Sequence, residues 1–209
     1  PRIAAETLRR FWTMLAHLQG GLVNVAQLAR NIGIEPKTAA QYLDLMVDLL
    51  LVRRLPPWHS NTGKRLVKSP KVYVRDSGLL HALLGIVDRD GLLSHPIVGM
   101  SWEGWVVENA LNVAPEGVHG HFFRTSGGAE IDLVLRFPSG ELWAVEVKRS
   151  LAPRPERPRQ GGDEAERLRR EDLVVLRADR TEDLDPFLRE SGDGGVVGHG
   201  GLLVGGRSG

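Results

Sequence analysis

Apolar residues recur at helical spacing through residues 6–18, where Leu8, Phe11, Trp12, Leu15 and Leu18 form one stripe before Gly20-Gly21 ends the run. Asn24 is placed to cap a second short helix, VAQLARNI, that stops at Gly33. Glu35-Pro36 opens a third, KTAAQYLDLMVDLLLV, with proline in the first turn, where a missing N–H costs nothing. Two short helices joined across a glycine have the outline of a helix-turn-helix, and the third helix is the one offered to a DNA major groove. Lys37, Thr38 and Gln41 near its start are the side chains that reach bases or phosphates in that reading.

The pattern then becomes extended. Residues 51–55, Pro56-Pro57 and NTGKRLVKSPKVYVRD read as two strands about a basic loop containing Lys64, Arg65, Lys68 and Lys71. Helices followed by a basic hairpin predict a winged helix over residues 1–75, its loop lying along a phosphate backbone. Asp76-Ser77-Gly78 caps the next helix, LLHALLGI. In GMSWEGWVVENALNV, residues 99–113, Trp102, Trp105, Val106 and Leu111 form an apolar stripe, with Glu103 between the tryptophans and by default a surface acid. His119 and His121 share a strand face and read as structural.

Residues 130–150, EIDLVLRFPSGELWAVEVKRS, alternate on both sides of a Pro138-Ser139-Gly140 turn. A hairpin centred on Ser139 sets Asp132 opposite Glu146 and Glu130 opposite Lys148, and puts Ile131, Leu133, Leu135, Phe137, Trp143, Val145 and Val147 on one core face. Two carboxylates directly across a ladder repel unless a cation lies between them, and a metal ion is one such cation. Beyond Ser150, PRPERPRQGG is linker-like, EAERLRRE is a charged helix and DLVVLRA a further strand; the glycine-rich residues 181–209 predict little stable structure. A second domain is thus expected over residues 76–180, and the whole reads as an α+β chain whose second domain is a mixed sheet flanked by helices.

Composition narrows the chemistry. With no cysteine in 209 residues, disulfides, thiolate zinc sites and cysteine nucleophiles are excluded. The absence of a long apolar run or signal-peptide layout predicts a cytoplasmic protein without membrane contact. A start at Pro-Arg-Ile, without an initiator methionine, suggests a fragment of something longer. The net charge of +1 divides into +8 over residues 1–75 and −7 over residues 76–209, which points to nucleic acid as partner of the basic half. Gly63-Lys64 is no nucleotide-binding loop, because Trp58 and Arg65 stand where such a loop needs Gly and Ser or Thr, so no ATP site is expected in this chain.

The order GAEID then AVEVK, with an acid on an upstream helix, resembles the PD-(D/E)XK nuclease superfamily. More widely, KSPKVYVRDSGLL, GMSWEGWVVENAL, FFRTSGGAEIDLVL and AVEVKRS resemble the C-terminal portion of a family of prokaryotic AAA-type ATPases, over about residues 5–150. In that family an ATPase module precedes a winged helix and a domain of unknown function with a nuclease-like core. The resemblance implies that Asp132 and Glu146 hold Mg or Mn with the Val147 carbonyl, and that Glu103 orients the site or binds a second ion. Lys148 would position the attacking water, DNA would be the substrate, and the ATPase module would be the partner. The alternative is a non-catalytic module that makes DNA or protein contacts for the ATPase.

Overall fold

The computed structural model describes residues 5–58, 67–125, 130–147 and 173–178, the last of these as backbone. Three helices come first: α1 Ala5–His17, α2 Val25–Ile32 and α3 Pro36–Asp48. The Asn24 side chain accepts from the Gln27 N–H at 3.0 Å to cap α2, and Gly33 closes that helix with φ 72°. Phe11 and Leu15, Leu28 and Ala29, and Tyr42, Leu43 and Met46 bury the inward stripes of the three helices in one core. Each large side chain so buried contributes about 1.5–3 kcal/mol.

α3 is shorter than its apolar run suggests. The chain must reverse after it to bring Val52 into a strand, so Leu50 takes the left-handed conformation (φ 58°) and the Leu51 N–H donates back to the Met46 carbonyl at 2.9 Å. β1 Val52–Leu55 and β2 Lys71–Val74 then form an antiparallel ladder, Leu55 opposite Lys71. The second edge of β2 is met by residues 20–23, where the Gly20 N–H donates to the Val72 carbonyl at 2.8 Å and the Val23 N–H to the Pro70 carbonyl at 2.9 Å. Covered on both edges, β2 is buried throughout. Val72 packs into the helical core, Tyr73 into a second core, and Val74 into a third with Ala16 and Leu80. The boundary expected after residue 75 therefore falls beside a strand that all three cores share.

α4 Ser77–Leu83 follows, capped by Asp76 as the sequence indicates. α5 Arg89–Ser94 has no counterpart in the sequence reading, because its six residues bury nothing and so leave no apolar stripe. α6 Val98–Val113 then leads to a four-stranded sheet of β3 His119–Arg124, β4 Glu130–Arg136, β5 Leu142–Val147 and β6 Leu173–Ala178, in the order β3-β4-β5-β6. The class is α+β, but where a mixed sheet was expected the three ladders among the described residues are all antiparallel, with a single parallel bridge, Pro57 to Phe122, on the edge of β3. The links from β3 to β4 and from β4 to β5 are too short for a parallel crossover.

The β4–β5 register is the expected one, with Leu133 opposite Val145 and Leu135 opposite Trp143. Leu133, Leu135 and Val145 pack with Phe122, Val107 of α6, Leu55 and Tyr73. Two details correct the single core face. Trp143 is 37% exposed, its indole donating to Glu141 at 2.6 Å beside the Phe137 ring, while Val134, Leu142 and Ala144 on the opposite face are buried. The middle of the sheet is covered on both sides. Beyond β1 the chain runs along β3, the Trp58 N–H donating to the Phe122 carbonyl at 2.6 Å and the Phe122 N–H to the Pro56 carbonyl at 3.0 Å. The ribbon and the sheet are joined there. The expected linker, charged helix and glycine-rich tail lie outside the described residues. No helix among the described residues is long and apolar enough to cross a membrane.

Candidate functional site

Alternation along β2 puts Lys71 and Tyr73 on one side of the strand. That side meets α6, and both side chains reach the same carboxylate oxygen: Lys71 Nζ lies 2.9 Å from Glu103 Oε1, and the Tyr73 hydroxyl donates to it at 2.6 Å. The approach of α6 is made possible by Gly104. A Cβ there would meet the Gln19 amide and lie 3.2 Å from Tyr73 Cδ1, and Gln19 is tied to the Val74 backbone, accepting from its N–H at 2.7 Å. Glu103, by default a surface acid, is therefore only 4% exposed.

Two further acids come from β4. Glu130 Oε1 lies 2.6 Å and Asp132 Oδ1 3.8 Å from the same Lys71 ammonium. Arg124 of β3 reaches the second Glu130 oxygen at 3.4 Å. Asp132 Oδ2 accepts from the Val147 N–H at 2.9 Å, which fixes this carboxylate against β5. The β4–β5 ladder ends at Leu133 opposite Val145, one residue short of Asp132 and Glu146, and the Glu146 charge acts on Asp132. Lys71 was expected in a basic loop along phosphate. Instead it is 3% exposed, its ammonium lying 5.6 Å from the Phe122 ring centroid. It stands at the start of β2, on the side of the strand that Tyr73 also occupies, and so points to α6 and β4 rather than to solvent.

The electrostatics follow from this enclosure. Burial, then the Glu103 charge, push Asp132 up from 3.8 to about 7, against the Val147 N–H and Lys71, which favour its charged form; Glu146 raises it further. Lys71 is held above its ordinary value: burial opposes its charge, but Glu103 and Glu130 outweigh burial. Burial, with Glu103, pushes the Tyr73 hydroxyl well up, so it stays a donor. A second buried acid on α6, Glu108, binds Arg53 at both oxygens and accepts from Arg75 Nε at 2.8 Å. Glu108 and Lys71 were absent from the sequence-derived site. The pattern KVYV, with Lys and Tyr alternating against Val, carried the signal for Lys71; Glu108 had none.

The expected catalytic set is thus brought together in part. Glu103 and Asp132 share the Lys71 cation and the Glu146 charge acts on Asp132, while Lys148 is outside the described residues. Among the described residues no group of three or more His, Asp and Glu is gathered so as to hold a metal ion by itself. Carboxylate oxygens are the hard donors that Mg or Mn takes, and three carboxylates converge here on the Lys71 ammonium. In the helical part Lys37, Gln41 and Lys68 are exposed and Thr38 half-buried; Lys64 and Arg65 are outside the described residues. His121 lies edge-on to Trp58 at 5.1 Å between ring centroids.

Residues 1–90 match the model of a domain of unknown function, DUF8612, and residues 98–188 match another, DUF4143, a domain typically associated with AAA-type ATPases. The chain is similar to two curated mycobacterial proteins, uncharacterized protein Rv2008c of Mycobacterium tuberculosis and uncharacterized protein Mb2031c of Mycobacterium bovis. Each is 48% identical over 153 residues, covering 73% of this chain. The chain spans about a third of the length of these relatives, 34% in each case. No solved structure matches it.

Proposed function

We propose that this chain is the DNA-binding, metal-dependent nuclease-like portion of a longer AAA-type ATPase, with residues 1–75 acting as a winged helix and the sheet carrying the phosphodiester chemistry. The observation that supports this reading is the convergence of Glu103, Glu130 and Asp132 on one buried positive charge beside the β4–β5 hairpin. Acids that share a cation in a partly dry site are what a divalent-ion centre requires. The DUF4143 match and the greater length of the mycobacterial relatives support attachment to an ATPase module.

In this reading Asp132 and Glu146 are the ligands, with Glu103 on the opposite side. A bound Mg or Mn would supply Lewis acidity toward a phosphate oxygen and lower the pKa of a water. The chain's own residues do the rest. The Val147 N–H holds one Asp132 oxygen so that the other faces the cluster, and Tyr73 fixes Glu103. Lys148 keeps the water-positioning role that the PD-(D/E)XK resemblance gives it. Lys37, Thr38, Gln41, Lys64, Arg65 and Lys68 contact DNA.

Manganese titration of the chain followed by calorimetry, with Asp132→Ala and Glu146→Ala alongside, tests the centre. Saturable binding in the parent that both substitutions abolish is the expected result, together with Mn-dependent nicking of duplex DNA lost in the same two variants. A second reading is favoured by the ammonium already present. Because Lys71 neutralises the acids from within, the site can be a structural joint of a non-catalytic DNA- or protein-contact module, and a parent that takes up no manganese would select it.

A further inference from the structure

The buried polar and charged residues among those described are Gln19, Lys71, Ser101, Glu103 and Glu108. Lys71 alone of these is a cation, and it is anchored from the helical part of the molecule, since its strand neighbour Val72 belongs to the helical core. Every acid it meets comes from the other part: Glu103 from α6, Glu130 and Asp132 from β4. The remaining charged groups around it are Arg124, which shares Glu130, and Glu146, whose charge acts on Asp132.

We propose that Lys71 is the built-in cation of the acid site, holding Glu103, Glu130 and Asp132 together until a divalent ion displaces its ammonium, so that β2 sets how readily the site loads. This rests on the metal-centre reading given above. The ammonium occupies the space between Glu103 and Asp132, the two carboxylates that would face a divalent ion from opposite elements. A monovalent and a divalent cation cannot share that space without mutual repulsion, which is little screened where both are buried. The lysine stem has four flexible carbons, so displacement asks for a swing of that stem away from Glu103 and Asp132 and not for a break in the β2 ladder. The Tyr73 hydroxyl remains on Glu103 Oε1 and keeps that carboxylate in place when the ammonium leaves.

The test is manganese affinity of the full chain, measured by calorimetry and by the loss of the free-ion paramagnetic resonance signal. Lys71→Met is expected to bind manganese at least tenfold more tightly than the parent, and Asp132→Asn added to it should abolish the gain. The melting temperature should also rise more with manganese in Lys71→Met than in the parent. A parent that binds poorly beside a Lys71→Met form that binds well supports the proposal equally. Equal or weaker binding in Lys71→Met, with the parent's binding still lost on Asp132→Asn, overturns the role of Lys71 and leaves the metal centre standing. No binding in any form overturns the metal centre and this proposal together. Should Lys71→Met fail to give a folded circular dichroism spectrum, Lys71→Gln, which keeps a hydrogen-bond donor toward Glu130, replaces it with the same expectations.

Discussion

Asp132 is a carboxyl whose titration the fold displaces. Its carboxyl is raised from 3.8 to about 7, chiefly by burial and by Glu103, so the folded protein binds a proton there that the unfolded chain has released by pH 5. A group with a raised folded pKa contributes stability that is complete below its unfolded value and is lost as pH climbs to the folded one. The stability from this residue is therefore present near pH 4 and gone by about pH 7. Asp132→Asn keeps an oxygen for the Val147 N–H and removes the charge, so the variant should melt above the parent at pH 8 and at nearly the parent's temperature at pH 4. The gain is on the order of 2 kcal/mol, less than the full shift implies because Lys71 loses a neighbour. A melting series from pH 4 to 8 checks it, and a difference between the two proteins that does not grow with pH would contradict the assignment.

At the level of elements, regular periodicity was legible and its interruptions were not. The hairpin register could be read because a turn centred on Ser139 and alternation on both sides agree, and the structure pairs Leu133 with Val145 accordingly. The caps at Asn24 and Asp76 were legible for the same local reason. The end of α3 was not, since an apolar run gives no stop and the residue that turns the chain is Leu50 rather than glycine. For Lys71 the KVYV alternation fixes the side of the strand it shares with Tyr73, but the burial of that side depends on the packing of α6, which the sequence does not give. Leu50 itself yields a prediction. It is 67% exposed with φ 58°, so its side chain buries little and its backbone bears the left-handed cost of about 1–2 kcal/mol. Leu50→Gly should stabilise the fold by about 1 kcal/mol, read as a higher midpoint in urea with an unchanged slope. A lower midpoint would mean that Leu50 makes contacts the isolated chain does not reveal.

For the molecule as a whole, the charge of the basic half divides between internal ion pairs and exposed lysines. Arg53, Lys71 and Arg75 from the basic half spend their charge inside, on Glu108, Glu103, Glu130 and Asp132, and so join the helical part to α6 and the sheet. Lys37 and Lys68 are exposed and remain available to a polyanion. Phosphate neutralisation makes the logarithm of affinity fall with the logarithm of salt by about 0.9 per contact on duplex DNA. If residues 1–75 bind DNA as proposed, replacing Lys37 and Lys68 together by alanine should flatten that slope by about 2. Arg75→Ala should leave it unchanged, because the guanidinium it removes is already paired with Glu108 at 2.8 Å. Fluorescence anisotropy of a labelled duplex between about 50 and 200 mM salt separates the two cases over the range where such slopes are well resolved. Equal slopes in all three proteins would move the exposed basic face from nucleic acid to a protein partner, and leave the internal pairs as the part of the charge asymmetry that acts within the fold.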